Sequence, residues 1–327
     1  MRLNTPRAAL VGTIAISALA LAGCSAGTPA AEETTGLSVV ASTNVYGSIA
    51  EAVGGDLVTV TSIITSAAQD PHSYEASAQD QLALSKADLV IENGGGYDPF
   101  IDTLLSAASN EAPVVNASEA SGLLEGDAHE HDEAAEEEAG HDEEEGHEGH
   151  DHIEGFNEHV WYSFHGVEHV AEEIAHQLSE LDADNAATYE ANLADFTAEI
   201  ETLEATAEAL HTDTEGLGAA ITEPVPLYLL EAAGFTNRTP DEFSEAIEEG
   251  TDVAPAVLSE TLALFDSGSV ALLAYNSQTA SNETEQVRAA AEENGVAVVE
   301  FIETMPDGAD YVSWMTDNLS AISAAVK

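Results

Sequence analysis

Residues 189–210 read YEANLADFTAEIETLEATAEAL. The apolar positions Tyr189, Leu193, Phe196, Ile200, Leu203, Ala207 and Leu210 recur at spacings of three and four, which puts them on one stripe of an α-helix. Val167, Val170, Ile174 and Leu178 continue the same period upstream, so the chain is expected to be helical from about Gly166 to His211. A helix of roughly 27 residues is about 40 Å long. That exceeds the needs of one small lobe and suits a spine joining two.

On both sides of this spine, short apolar runs alternate with helical patterns. Upstream, strands are expected at 37–42, 58–64, 87–92 and 114–115, with helices near 46–53, 77–85 and 99–107. Downstream, strands are expected at 219–222, 270–274 and 296–301. The downstream helices fall near 227–233, 255–267, 283–293 and from Tyr311 to the end. Alternation of this kind predicts parallel sheets. The expected fold is α/β: two similar lobes with small, mostly parallel sheets flanked by helices, joined by a long rigid backbone helix. The lobes are placed at 37–165 and 217–327, with the helical connector at 166–216.

The 327 residues carry 62 Asp and Glu against 6 Lys and Arg, a formal charge of −56. Such a surface repels phosphate backbones and anionic headgroups, so nucleic acid is excluded as a partner and membrane attachment must be covalent. It attracts cations. The N-terminus combines a basic start, an apolar run and Leu21-Ala22-Gly23-Cys24. Residues 1–23 read as a secretory signal, and the last four resemble the bacterial lipobox. In that motif the Cys is acylated, so Cys24 is expected to carry a lipid that anchors an extracytoplasmic protein to the cell membrane. It is the only Cys in the chain, which rules out an internal disulfide. Residues 24–36 are small and polar, as a flexible tether should be.

Residues 127–154 break every period. They hold 14 acids and 6 His in 28 positions, with no large apolar residue before Ile153. A surface loop is expected, unable to form a core. Its histidines, His129, His131, His141, His147, His150 and His152, read as accessory, weak metal capture, because ordering such a segment around an ion costs conformational entropy.

Twelve His in an acidic chain without a usable thiol point to a metal held by nitrogen and oxygen. Asp70-Pro71-His72 follows the 58–64 strand, where an open α/β sheet binds its ligands; the same residues also read as a turn leading into a helix. His159 precedes Val160-Trp161 and reads either as a ligand or as a packed core histidine. His165-Gly166-Val167-Glu168-His169 fits H-x-x-E-H, a zinc motif of one metalloprotease group. On a helix its two His share a face, and a solvated face with surface metal explains it better than a protease does. Nucleophile-elbow, zincin and phosphate-loop patterns are missing, so no enzyme is indicated.

DPHSYE at 70–75, the His/acid-rich insert, EHVW at 158–161 and DADNAATYEANL at 182–193 occur in that order. TEPVPLYLLEAAGF at 222–235, YNSQTASNETEQV at 275–287 and ETMPDGADYVSWM at 303–315 follow. Together they resemble the zinc/manganese group of metal-binding solute receptors of ATP-binding-cassette importers, from about Leu37 to the C-terminus. The resemblance implies two α/β lobes on a rigid helix, a monomer, a membrane permease as partner and one divalent ion between the lobes. It also implies four ligands: His72, His159, Glu223 where many zinc receptors have His, and Glu303, with Asp307 as the alternative to the last. Should Glu223 fall outside the site, Glu231 or Asp241 would take its place. Two imidazoles and two carboxylates balance a dication in a closed site. Raw affinity and the His-rich insert favour zinc, whereas carboxylate ligation moves the site toward manganese or iron. A surface metal buffer or adhesin and a zinc metalloenzyme are the rival readings.

Overall fold

The computed structural model describes residues 36–124, 153 and 155–327. The signal segment, Cys24, most of the tether and all six insert histidines (His129, His131, His141, His147, His150 and His152) lie outside the described residues.

Strands β1 (Leu37–Thr43), β2 (Val58–Ile64), β3 (Leu89–Glu92) and β4 (Val114–Asn116) form a parallel sheet in the order β2-β1-β3-β4. A second parallel sheet comprises β5 (Gly218–Ile221), β6 (Thr236–Asn237), β7 (Leu272–Asn276) and β8 (Ala297–Phe301), in the order β6-β5-β7-β8. The two sheets repeat one topology: the second strand lies outside the first, and the chain then crosses back. The first lobe carries helices α1 (Asn44–Gly54), α2 (Ala78–Leu84), α3 (Phe100–Ala108) and α4 (Ala117–Ala120). The connector is α5 (Phe164–Leu181) and α6 (Ala186–Thr214). The second lobe adds α7 (Leu227–Ala232), α8 (Asp241–Glu248), α9 (Pro255–Ser267), α10 (Asn282–Glu293) and α11 (Tyr311–Ala325).

Side chains alternate across a strand, and here both faces are covered. In the first sheet Val39, Ala41, Leu89 and Ile91 enter one core, while Val40 and Val90 join a separate outer cluster with Phe100 and Leu104 of α3. In the second sheet Ala219, Ile221, Leu272 and Ala274 enter the same core as the first, whereas Ala220, Leu273 and Tyr275 face another outer cluster with Phe243 and Phe265. The shared core is filled by the stripe of α6 (Tyr189, Phe196, Ile200, Leu203 and Ala207) and by Val167, Val170, Ile174 and Leu178 of α5. Trp314, Met315, Leu319 and Ile322 of α11 complete it, and Tyr311 ties that helix to the first lobe by donating its hydroxyl to Trp161 O at 2.7 Å.

The spine is 29 residues long, as its stripe requires. It is separated from α5 at Asp182, whose carboxylate accepts from Asn185 Nδ2 at 2.7 Å and Tyr189 Oη at 3.2 Å. Strand β6 and helix α8 were not foreseen. β6 has only two residues, and α8 (DEFSEAIE) buries just Phe243, Ser244 and Ile247, too few to stand out in an acidic stretch.

Glu92 ends β3 half-buried and accepts from Asn116 Nδ2 at 2.9 Å. Burial, followed by the charges of Asp98 and Asp102, pushes its carboxyl up to about 7. A raised folded-state value means a stabilising contribution that is complete below the ordinary Glu range and is lost as pH climbs through about 7. Glu92→Gln keeps the acceptor oxygen and has nothing to ionise. The variant should match the wild type below about pH 4 and exceed it by about 1–2 kcal/mol near pH 9, allowing for partial solvent screening. Chemical denaturation at the two pH values measures this, and equal gains at both would show that Glu92 is not held neutral.

Candidate metal centre

Open parallel sheets bind ligands beyond the carboxyl ends of their strands, and His72, Glu223, Asn276 and Glu303 stand there. His72 lies in the loop after β2, where Asp70 folds an Asx turn: Oδ1 accepts from His72 N at 2.9 Å and Oδ2 from Ser73 Oγ at 2.7 Å. Glu223 follows β5, Asn276 ends β7 and Glu303 follows β8. Hydrogen bonds clasp these ends across the lobes. Asn44 makes a two-way pair with the Met305 backbone, donating at 2.7 Å and accepting at 3.0 Å. Gln278 donates to Ala67 O in the His72 loop at 3.2 Å and accepts from Glu303 N at 2.6 Å. Tyr162 donates to Ile302 O at 2.8 Å.

His159 is 1% exposed, packed against Trp161 and Tyr97, with ring centroids 5.2 and 5.8 Å away. Its protonation pattern follows from its neighbour. Asn157 Nδ2 donates to Pro224 O at 3.1 Å, so Oδ1 is the acceptor that takes both His159 N–H at 3.2 Å and His159 Nδ1 at 2.7 Å. Nδ1 therefore carries the proton, and Nε2 presents a lone pair, the form a metal requires. Asn157 also accepts at its backbone oxygen from Tyr228 Oη at 2.8 Å, so this one residue positions the imidazole and joins it to the strand end that bears Glu223.

The structure brings His72 and His159 together, their ring centroids 6.5 Å apart, and adds Glu248 to them. One donor atom from each of the three lies within 4.8 Å of the others, with Glu248 Oε1 3.6 Å from His159 Nε2. It also brings Glu223 and Glu303 together: Asn276 Nδ2 donates to Glu223 Oε2 at 2.5 Å and to Glu303 Oε1 at 2.8 Å. Glu223 is 2% exposed and Glu303 is 4% exposed. Asp307, Glu231 and Asp241 are exposed, so geometry favours Glu223 and Glu303 over these alternatives. His165 and His169 stand on α5, away from the buried cluster.

Glu248 was missing from the sequence reading. It ends the unforeseen helix α8, whose Phe243 and Ile247, four apart behind acidic Asp241 and Glu242, were the only local signal. Burial pushes the carboxyl of Glu223 up, and Asp70 adds to the shift. Burial and the charge of Glu223 raise Glu303. Burial and the charges of Glu158, Glu223 and Glu303 raise Glu248 most. His72, His159 and Glu248 thus form one group of potential donors, and Glu223 and Glu303 form a buried pair joined through Asn276.

A sequence profile of the family described as zinc-uptake complex component A, periplasmic, matches residues 39–325. The chain is 27% identical over 266 residues to the manganese-binding lipoprotein MntA of Halalkalibacterium halodurans, covering 76% of this chain and 79% of that protein. It is 26% identical over 195 residues to the manganese ABC transporter substrate-binding lipoprotein PsaA of Streptococcus anginosus, spanning 58% of this chain and 56% of the other. The crystal structure of ZnuA shares the fold with a TM-score of 0.67 at 22% identity, over 89% of this chain and 100% of that one.

The Asn157 network makes a spectroscopic prediction. In the metal-free protein His159 should appear in nitrogen NMR as the Nδ1–H tautomer, and Asn157→Ala should return it toward the Nε2–H form favoured in water. An unchanged tautomer in the folded variant would show that Asn157 does not set it.

Proposed function

The chain belongs to the family of zinc-uptake complex component A, and from that premise we propose that it is the receptor that captures a divalent transition ion outside the membrane and delivers it to the permease of an ATP-binding-cassette importer. The observation that supports this reading is the grouping of His72, His159 and Glu248, beside which Glu223 and Glu303 share Asn276 at the strand ends of the second sheet. The ion is cargo. His72 and His159 supply nitrogen, Glu223 and Glu303 supply oxygen, and Glu248 offers a further carboxylate from α8. Zinc is the ion the two imidazoles and the affinity order favour. Manganese is the second reading, supported by three carboxyls in the cluster and by the manganese-binding relatives.

We place the protein at the membrane through Cys24, which lies outside the described residues. Among the described residues, no helix is long and apolar enough to cross a membrane. Cys24→Ser should release the protein into the medium of a lipoprotein-processing host, as fractionation and immunoblotting would show; continued membrane retention would demand another anchor.

Metal competition tests the site. His72→Ala and His159→Ala each remove a nitrogen donor and should weaken zinc binding by at least about 10–100-fold, since loss of outer partners alone has that effect. Glu223→His exchanges a hard anionic donor for a neutral borderline one, so it should raise the zinc-to-manganese affinity ratio. Chelator-competition titrations of both ions at one pH and salt concentration supply these numbers. Unchanged zinc affinity in both His variants would overturn the site, and an unchanged ratio in Glu223→His would place Glu223 outside it.

A further inference from the structure

The H-x-x-E-H stretch on α5 belongs to no part of the cleft, yet its geometry is that of a chelate. His165 and His169 are one turn apart and share a face. Their Nε2 atoms are 3.3 Å from one another, with ring centroids 4.5 Å apart and planes at 77°. Two nitrogens at about 2.0–2.1 Å from a tetrahedral zinc are about 3.3–3.4 Å apart, so the pair already stands at the bite of such an ion. On the far side of His169, Nδ1 faces Glu172 Oε2 at 3.2 Å. A carboxylate in that position holds the proton on Nδ1 and leaves the Nε2 lone pair facing His165 Nε2, the arrangement seen behind metal-bound histidines.

The surroundings suit a cation. His165 opens onto a groove of about 310 Å³ that is also lined by Glu204, Glu208 and His211. Glu168, between the two histidines in sequence, feels the charges of Glu204, Glu172 and Glu201 and lies next to His165. Gly122 and Leu123 border the pair: a Cβ on Gly122 would lie 4.0 Å from His169 Cδ2, and Leu123 Cδ1 packs over Gly166. Two imidazole donors select borderline ions of the zinc class over magnesium or calcium, which prefer oxygen.

We propose that His165 and His169 form a second, solvent-open site for a zinc-class divalent ion, bound through both Nε2 atoms with water completing the sphere. This site is independent of the cleft reading. With two protein donors it binds more weakly than a closed site and exchanges its ion freely.

The test uses the full chain and zinc itself, with diethylpyrocarbonate labelling of each histidine read by peptide mass spectrometry. His176, exposed on the same helix beside Glu180, is the internal control. Zinc added beyond the first equivalent should slow labelling of His165 and His169 together by several-fold, leave His176 unchanged, and be reversed by chelator. In His169→Gln, with an unaltered circular-dichroism melt, His165 should lose that protection while the tightest zinc equivalent persists. Labelling of the pair that ignores zinc overturns the proposal. So does equal slowing of all three histidines, or protection of His165 that survives His169→Gln. Failure of the cleft assignment would show separately, in the tightest equivalent.

Discussion

One apolar core runs unbroken along the inner faces of both sheets, and the rest of the molecule depends on it. Val39, Ala41, Leu89 and Ile91 of the first sheet belong to the same cluster as Ala219, Ile221, Leu272 and Ala274 of the second. The α5–α6 pair and α11 lie between them. Separating the lobes would expose Tyr189, Phe196, Tyr311 and Trp314 to water, each an aromatic that buries a large area. Close-packed interiors resist continuous deformation, so the strand ends of one lobe are held in a set position against those of the other. The clasps made by Tyr162, Gln278 and Asn44 add direction to that hold, because together they fix the backbone of Ile302, Glu303 and Met305.

This rigidity has an electrostatic consequence. A flexible protein would move Glu223 and Glu303 apart, but here both are buried and share a single Asn276 amide. Burial raises the proton affinity of both, the charge of Glu223 adds to that of Glu303, and the hydrogen bonds from Asn276 only partly offset the rise. Glu248 intensifies the repulsion from the end of a short peripheral helix. Buried polar groups that are only partly satisfied are destabilising unless something completes them. Under the function proposed above, a dication is what would complete this set, displacing protons as it binds.

The architecture was legible because it is periodic. The stripe of α6 and the strand at Val58–Ile64 match their expected bounds closely, since a 3.6-residue or two-residue repeat is local information. β6 and α8 escaped because their order comes from neighbours: β6 is two residues paired to β5, and α8 is anchored by Phe243 and Ile247 alone. The choice between Glu303 and Asp307 could not be made from sequence, as both follow β8. Burial separates them, for Glu303 sits two residues beyond the buried Phe301, while Asp307 comes after Pro306 on the surface. Asn276 and Gln278 lie in the 275–287 motif and Asn157 immediately precedes Glu158-His159, but none carries a signature of its own. Their roles appear only when Pro224, Glu223, Glu303 and Ala67 come within hydrogen-bond reach. Glu248 is the extreme case, a ligand-type side chain with neither motif nor period to mark it.

The charge of −56 and the buried cluster act over different ranges. At physiological salt, exposed charges are screened beyond about 8 Å, so the acidic surface draws cations only into its own immediate layer. That layer does not discriminate, since any abundant monovalent or divalent ion satisfies exposed carboxylates. Discrimination requires donors that are shielded from bulk ions and fixed in number. The His159 ring meets that condition, because Asn157 orients it and Trp161 and Tyr97 exclude water around it. In the proposed receptor, an ion arriving there would exchange its hydration shell for imidazole nitrogen, which penalises sodium, magnesium and calcium and favours the transition metals. The surface therefore sets how often cations arrive, and the core-braced geometry between the lobes sets which of them stay.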